Sequence, residues 1–167
     1  MDQPPDDPTD DPAEDATSAG VLAQERRLAF VTFDNNDAVD LGLIAVGLAR
    51  SRALPIVVEI RAYDQVLFRA ALPGSSVVND GWVARKARLV EELGHATLYQ
   101  RLVHDEVGTT FAAATGWSED EYAAHGGGFP LTLEGVGRVG VMVVSGLPQL
   151  DDHRLVVECL ETLQERS

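Results

Sequence analysis

The 167-residue chain has one cysteine, one lysine and two methionines, and each scarcity narrows what it can do. A lone Cys159 excludes an intramolecular disulfide framework and a Cys-rich zinc site. No apolar run approaches the roughly 20 residues that a membrane helix needs. The first residues carry no basic stretch followed by an apolar one, so the expectation is a cytoplasmic protein without a signal peptide. Bases are few as well: 13 against 27 acidic side chains, a formal net charge of −14. Clustered Lys and Arg are what phosphate neutralisation requires, so this balance excludes nucleic acid as a partner. It argues equally against an anionic membrane surface.

The acid is unevenly spread. Residues 1–18 hold seven carboxylates, no base and four of the eight prolines, which leaves 20 acids and 13 bases for the rest. Met1 to Thr17 has almost no large apolar residue and cannot offset its ordering entropy by burial, so residues 1–18 read as a disordered acidic Asp/Pro-rich tail. Such a tail serves as a solubilising extension or as an acidic docking segment. Residues 19–167 are enough for one domain with one core.

Within that body, Val21 to Arg27 reads as a short helix and Leu28 to Phe33 as a strand. Asp34 to Asp37 supplies side-chain oxygens that can cap a helix carrying Leu41, Ile44, Ala45 and Leu48 on one face, which ends before Pro55. Ile56–Ile60 and Val66–Ala71 read as a β-hairpin around Ala62-Tyr-Asp-Gln65. A helix from about Asp80 to Leu93 follows, capped by Asn79 or Asp80, and His95 to Val107 continues it past a kink at Gly94. Ser118-Glu-Asp-Glu121 fits a capping box opening a short helix that Gly126 ends. Phe129–Leu133 and Arg138–Ser145 make a second hairpin, and Gln149 to Gln164 a final helix with Cys159 on its apolar face. Strands adjacent in pairs point to an α+β fold, an antiparallel sheet flanked by helices.

Arg85, Lys86 and Arg88 form the one basic cluster of the body and contain the sole lysine. On a helix Arg85 and Arg88 share a face while Lys86 points elsewhere. The cluster suits recognition of a carboxylate or phosphate; ion pairing with Glu91, Glu92 or a neighbouring subunit is the alternative. Asn79 reads as a helix cap, with a ligand contact as the other reading, and Trp82 as core or subunit interface. Gly126-Gly-Gly128 lacks the Lys-Ser/Thr of a phosphate loop and reads as a turn that lets the next strand start.

Three segments together carry a resemblance: Pro73-Gly-Ser-Ser-Val-Val-Asn-Asp-Gly-Trp-Val-Ala-Arg-Lys86, Glu121-Tyr-Ala-Ala-His-Gly-Gly-Gly-Phe-Pro130 and Val144-Ser-Gly-Leu-Pro-Gln-Leu-Asp-Asp-His153. From about Leu22 to the C-terminus the chain resembles an uncharacterised bacterial and fungal family within the GlcG/HbpS-like superfamily, the haem-degrading domain. The resemblance implies a profilin-like α–β–α fold and a homo-oligomer. It also implies haem or a related tetrapyrrole as ligand, while this branch carries no settled activity. A haem site needs an axial ligand, an apolar slot and cations for the propionates. On that reading His125 and His153 are the candidate iron ligands, with Asn79, Arg85 and Lys86 toward the ligand's acid groups. His95 and His104 match no motif. Three functions stay open: a domain binding a small anionic ligand such as haem, a haem-degrading enzyme, and a non-catalytic oligomeric adaptor for a protein partner.

Overall fold

The computed structural model describes residues 13–167, so Met1 to Pro12 of the expected tail lie outside the described residues. From Ala13 onward the chain is folded. A 3₁₀ turn over Glu14–Ala16 leads into α1 (Ser18–Arg27), whose first turn is capped by Thr17 Oγ1 accepting from Gly20 N–H at 3.0 Å. Asp15 is buried against Arg154, and Glu14 pairs with Arg27. The acidic segment therefore gives way to fold a few residues earlier than its composition suggests, because these two carboxylates find arginines.

Four antiparallel strands follow the expected hairpins: β1 (Val57–Ala62) with β2 (Gln65–Ala71), and β3 (Gly128–Leu133) with β4 (Gly137–Ser145). The hairpins join through a central β1–β4 pair, giving the order β2-β1-β4-β3. The β1–β2 connection is a two-residue turn with positive φ at Tyr63 and Asp64, the backbone that matches strand twist. Tyr63 tolerates it because its hydroxyl donates to Phe33 O at 3.0 Å.

Strand alternation then divides the core. Val58, Ile60, Met142 and Val144 face α2 (Asn35–Ser51) and α6 (Gln149–Arg166). Val57, Val141 and Val143 face α3 (Val77–Leu93), where Val83, Ala87 and Val90 meet them. The result is the α+β fold expected, an antiparallel sheet with helices on both faces. Glu59 is the exception on the α3 face: it is 2% exposed and binds Arg61 at 2.5 Å and Arg69 across the hairpin. Arg69 continues to Asp80 of α3, so the buried carboxylate is neutralised twice, as burial requires.

Two elements differ from expectation. Leu28–Phe33 is not a strand; it touches the sheet through one parallel bridge, Phe30 to Leu133, and its Ala29 carbonyl, with that of Arg27 just before it, accepts from the Gln164 side chain. The helix expected over Ser118–Gly126 is a single turn. Arg85 Nη1 donates to Glu119 O at 3.1 Å and Arg88 Nη1 to Glu121 O at 2.7 Å, taking carbonyls that a helix would use. Phe111 meets Trp117 edge-on and Trp117 packs tilted on Tyr122 along the same segment. A short α5 (Phe111–Thr115), capped by Thr110, stands just upstream instead. Smaller shifts concern α3, which starts at Val77 under a Ser76 cap with Asn79 completing the capping box. Gly94 ends α3 in the left-handed region, and α4 (Thr97–Asp105) is a separate helix.

Two glycines of α2 have opposite surroundings. A Cβ at Gly42 would lie 2.3 Å from the Phe68 ring, whereas one at Gly47 would meet nothing within 4 Å. Alanine gains about 1 kcal/mol of helix propensity at either site, but overpacking at Gly42 costs about 1–3 kcal/mol. Gly47→Ala should therefore raise the denaturation midpoint and Gly42→Ala lower it, read by urea titration of each variant.

Candidate functional site

The first turns of α3 and α6, the loop before β3 and the end of β4 converge at one end of the sheet. Their fixed point is Lys86. Its aliphatic stem runs inward from α3, and its Nζ donates to Asp152 Oδ2 at 3.0 Å and to Val144 O at 3.1 Å. Asp152 Oδ1 in turn accepts from Leu147 N–H at 3.0 Å, closing the β4–α6 turn. Burial pushes the Lys86 ammonium down and the Asp152 carboxyl up, and their mutual attraction opposes both shifts. Gly127, at φ 128°, passes directly over the pair: a Cβ there would lie 2.7 Å from Lys86 Nζ and 2.4 Å from Val144 O. No side chain fits at that backbone position, whatever its conformational preference.

His125 precedes this crossing and lies on no helix. Its ring meets Trp82 edge-on, centroids 5.1 Å apart, and Arg85 lies over the same indole at 4.1 Å. Burial, and then the charges of Arg101 and Lys86, hold the half-buried imidazole below the ordinary histidine pKa, so it is neutral near pH 7. The Trp82–His125 pair is shared by two cavities. One, of about 240 Å³, has Arg85, Arg101, Phe111, Tyr122 and Glu119 in its wall. The other, of about 340 Å³, is bounded by Asn79, Lys86, Ser145, Gln149 and Asp152.

Of the five candidate ligand residues, Asn79, Arg85, Lys86 and His125 thus line adjoining cavities. Asn79 Oδ1 also accepts from Ser76 N–H at 2.9 Å, so it caps the helix while facing the second cavity. Lys86 is committed to Asp152, and Arg85 and Arg88 to loop carbonyls rather than to Glu91 or Glu92. Trp82 is half-buried in the cleft wall. Arg101 and Phe111 had no motif to mark them, and Tyr122, inside the Glu121–Pro130 segment, was not singled out; tertiary contacts bring the three together.

His153 is elsewhere. It is 0% exposed, packed on Phe129, and its Nε2–H donates to Gln24 Oε1 at 2.7 Å while Nδ1 has no partner. It lines neither cavity, and desolvation pushes its pKa down to about 4. His95 pairs with Glu25 at 2.8 Å and stacks on Tyr99; His104 packs on Phe111. Cys159 is buried, its thiol pushed up to about 12. Among the described residues no group of three or more His, Cys, Asp or Glu could hold a metal ion, and no helix is long and apolar enough to cross a membrane.

Residues 33–161 match the family described as haem degrading protein HbpS-like. A UPF0303 protein of Streptomyces coelicolor is 52% identical over 145 residues, covering 87% of this chain and 92% of that protein. The crystal structure of the Ybr137w protein superposes with a TM-score of 0.83 at 26% identity, over 90% of this chain and 89% of that one. The crystal structure of a PduOC:heme complex superposes with a TM-score of 0.66 at 20% identity, over 78% and 94% of the two chains, which shows a shared fold.

The sealed imidazole has a measurable consequence. Its folded pKa of about 4 lies below the unfolded value of 6.5, so the unfolded chain binds the extra proton. Stability is full above pH 6.5 and falls as pH drops toward 4, by about 3 kcal/mol from this group. Guanidinium denaturation between pH 7 and 4.5 should show a steeper loss for the parent than for His153→Leu.

Proposed function

The chain belongs to the HbpS-like family of haem degrading proteins, and from that premise we infer that its cleft binds a small anionic ligand, haem or a related tetrapyrrole. The observation that carries this reading is His125: a neutral imidazole against Trp82, with Arg85 and Arg101 in the same wall. The donor set fits the group. A neutral imidazole can ligate iron, aromatic faces suit a macrocycle, and guanidinium forks suit propionates. Haem, when bound, would supply redox and oxygen chemistry through its iron.

The chain's own residues do the binding and the orienting. Trp82 fixes the His125 ring by its edge contact, and Arg85 lies over the indole while its remaining N–H groups are available to a carboxylate. Arg101 is anchored at 3.0 Å by Asp105, which sets its direction. At about 240 and 340 Å³ the cavities lie below and at the lower end of ligand-site volumes, so a bound tetrapyrrole leaves an edge outside this chain. Val77 and Val78, 79% and 65% exposed in the first turn of α3, are apolar surface just before Asn79 of the second cavity. That favours a homo-oligomer whose second copy covers the edge. The same arrangement serves a cytoplasmic binding protein or an oxidative enzyme, and turnover separates them.

Haemin titrated into the native protein should give a saturable Soret shift at micromolar ligand. His125→Ala should weaken binding at least tenfold and change the Soret position, while His153→Leu leaves both as in the parent. A Soret shift unaltered in His125→Ala would contradict the assignment. Loss of the Soret band on adding ascorbate in air would mark an enzyme; persistence would mark a binding protein.

A further inference from the structure

We propose that the second cavity is a carbonyl site, in which Lys86 forms an imine with a small, uncharged aldehyde or ketone and Asp152 carries the protons. The inference does not depend on haem: it rests on different atoms, on the other side of the Trp82–His125 pair.

Lys86 is the sole lysine of the chain, and its side chain is 3% exposed yet bounds a cavity of about 340 Å³. It gives two N–H groups to Asp152 and Val144, and among the described residues no acceptor takes the third. The backbone of Gly127 crosses above the nitrogen with no side chain to cover it. The rest of the wall carries no charge: its polar groups are Asn79, Ser145, Gln149 and a neutral His125, beside Trp82 and Leu147. Lys86 and Asp152 cancel each other, so the site selects for a neutral polar molecule rather than an anion. Amide and hydroxyl groups of this kind suit a short hydroxy-aldehyde or hydroxy-ketone.

The chemistry balances without any further reagent. The Lys86 ammonium passes a proton to Asp152, and the free amine lone pair attacks the carbonyl carbon. A C–N bond forms, the carbonyl π-bond opens, and Asp152 returns the proton to the oxygen. Asp152 then takes a second proton from the carbinolamine nitrogen and delivers it to the hydroxyl, which leaves as water. The product is a protonated imine beside an Asp152 carboxylate, so the buried charge pair is the same before and after. Burial of both groups favours the neutral pair through which the reaction must pass.

Glycolaldehyde with sodium cyanoborohydride at pH 7 tests this on the full-length native protein, because reduction fixes any imine and peptide mass spectrometry locates it. Only Lys86 and the N-terminal amine can react. In the folded chain Lys86 should label at least tenfold faster than in the same chain unfolded in guanidinium chloride, where an ordinary lysine is almost wholly protonated. Asp152→Asn, checked for a native circular dichroism spectrum, should lose that acceleration. Lys86 unlabelled in the folded chain but labelled on unfolding would overturn the proposal, as would Asp152→Asn labelling at the parental rate. Neither outcome touches haemin binding at His125, which is read separately.

Discussion

Lys86 and Asp152 meet at 3.0 Å with side chains 3% and 2% exposed, and removing two such charges from water costs several kcal/mol per ion unless geometry repays it. The repayment is structural. One ammonium and one carboxylate together join α3, the end of β4, the Leu147 turn and the first turn of α6. Apolar contact between α3 and the sheet, through Val57, Val83, Val90 and Val143, would tolerate sliding by a turn. The ion pair does not, because its hydrogen bonds have one register. Gly127 belongs to the same constraint: the loop can cross over the pair only with a bare backbone.

That crossing decides where His125 sits. Two residues before Gly127, it is delivered to the gap between α3 and the loop, where Trp82 receives its ring. Arg85 and Arg88 then fasten the loop by its carbonyls, and in doing so prevent it from coiling into a helix. The cleft is therefore a by-product of how the loop is held. Its polarity follows: the half with Arg85 and Arg101 is suited to acid groups, and the half over Lys86 and Asp152 is balanced in charge. His153 follows the reverse logic, since α6 turns it into the core against Gln24 of α1.

Much of the fold was readable from the sequence because local signals agreed with tertiary ones. Asp34, one of the cap candidates over Asp34 to Asp37, capped α2, β-rich runs marked both hairpins, and α2 ended before Pro55 as steric rules require. Resemblance over three separated segments placed the family, and those segments are the ones that surround Lys86. What misled was local chemistry without its neighbours. Ser118–Glu121 has the letters of a capping box, yet arginines 33 or more residues upstream captured its carbonyls. Helix geometry set Lys86 apart from the Arg85–Arg88 face, but only the fold shows that it turns inward to Asp152, 66 residues away. Asp-His at the start of α6 looked alike in sequence, but helical geometry sends both side chains into different buried sites, one charged and one sealed and neutral.

The measurement that bears most directly on this account is a double-mutant cycle on the pair. Lys86→Met and Asp152→Asn keep shape while removing one charge each, and the double variant removes both. Each single variant should lose about 3–5 kcal/mol of unfolding free energy, since it strands a buried charge or its partner. The double variant should recover part of that loss, a coupling of about 2 kcal/mol or more. Single losses that simply add in the double variant would contradict the claim that this pair fixes α3, β4 and α6 in one register.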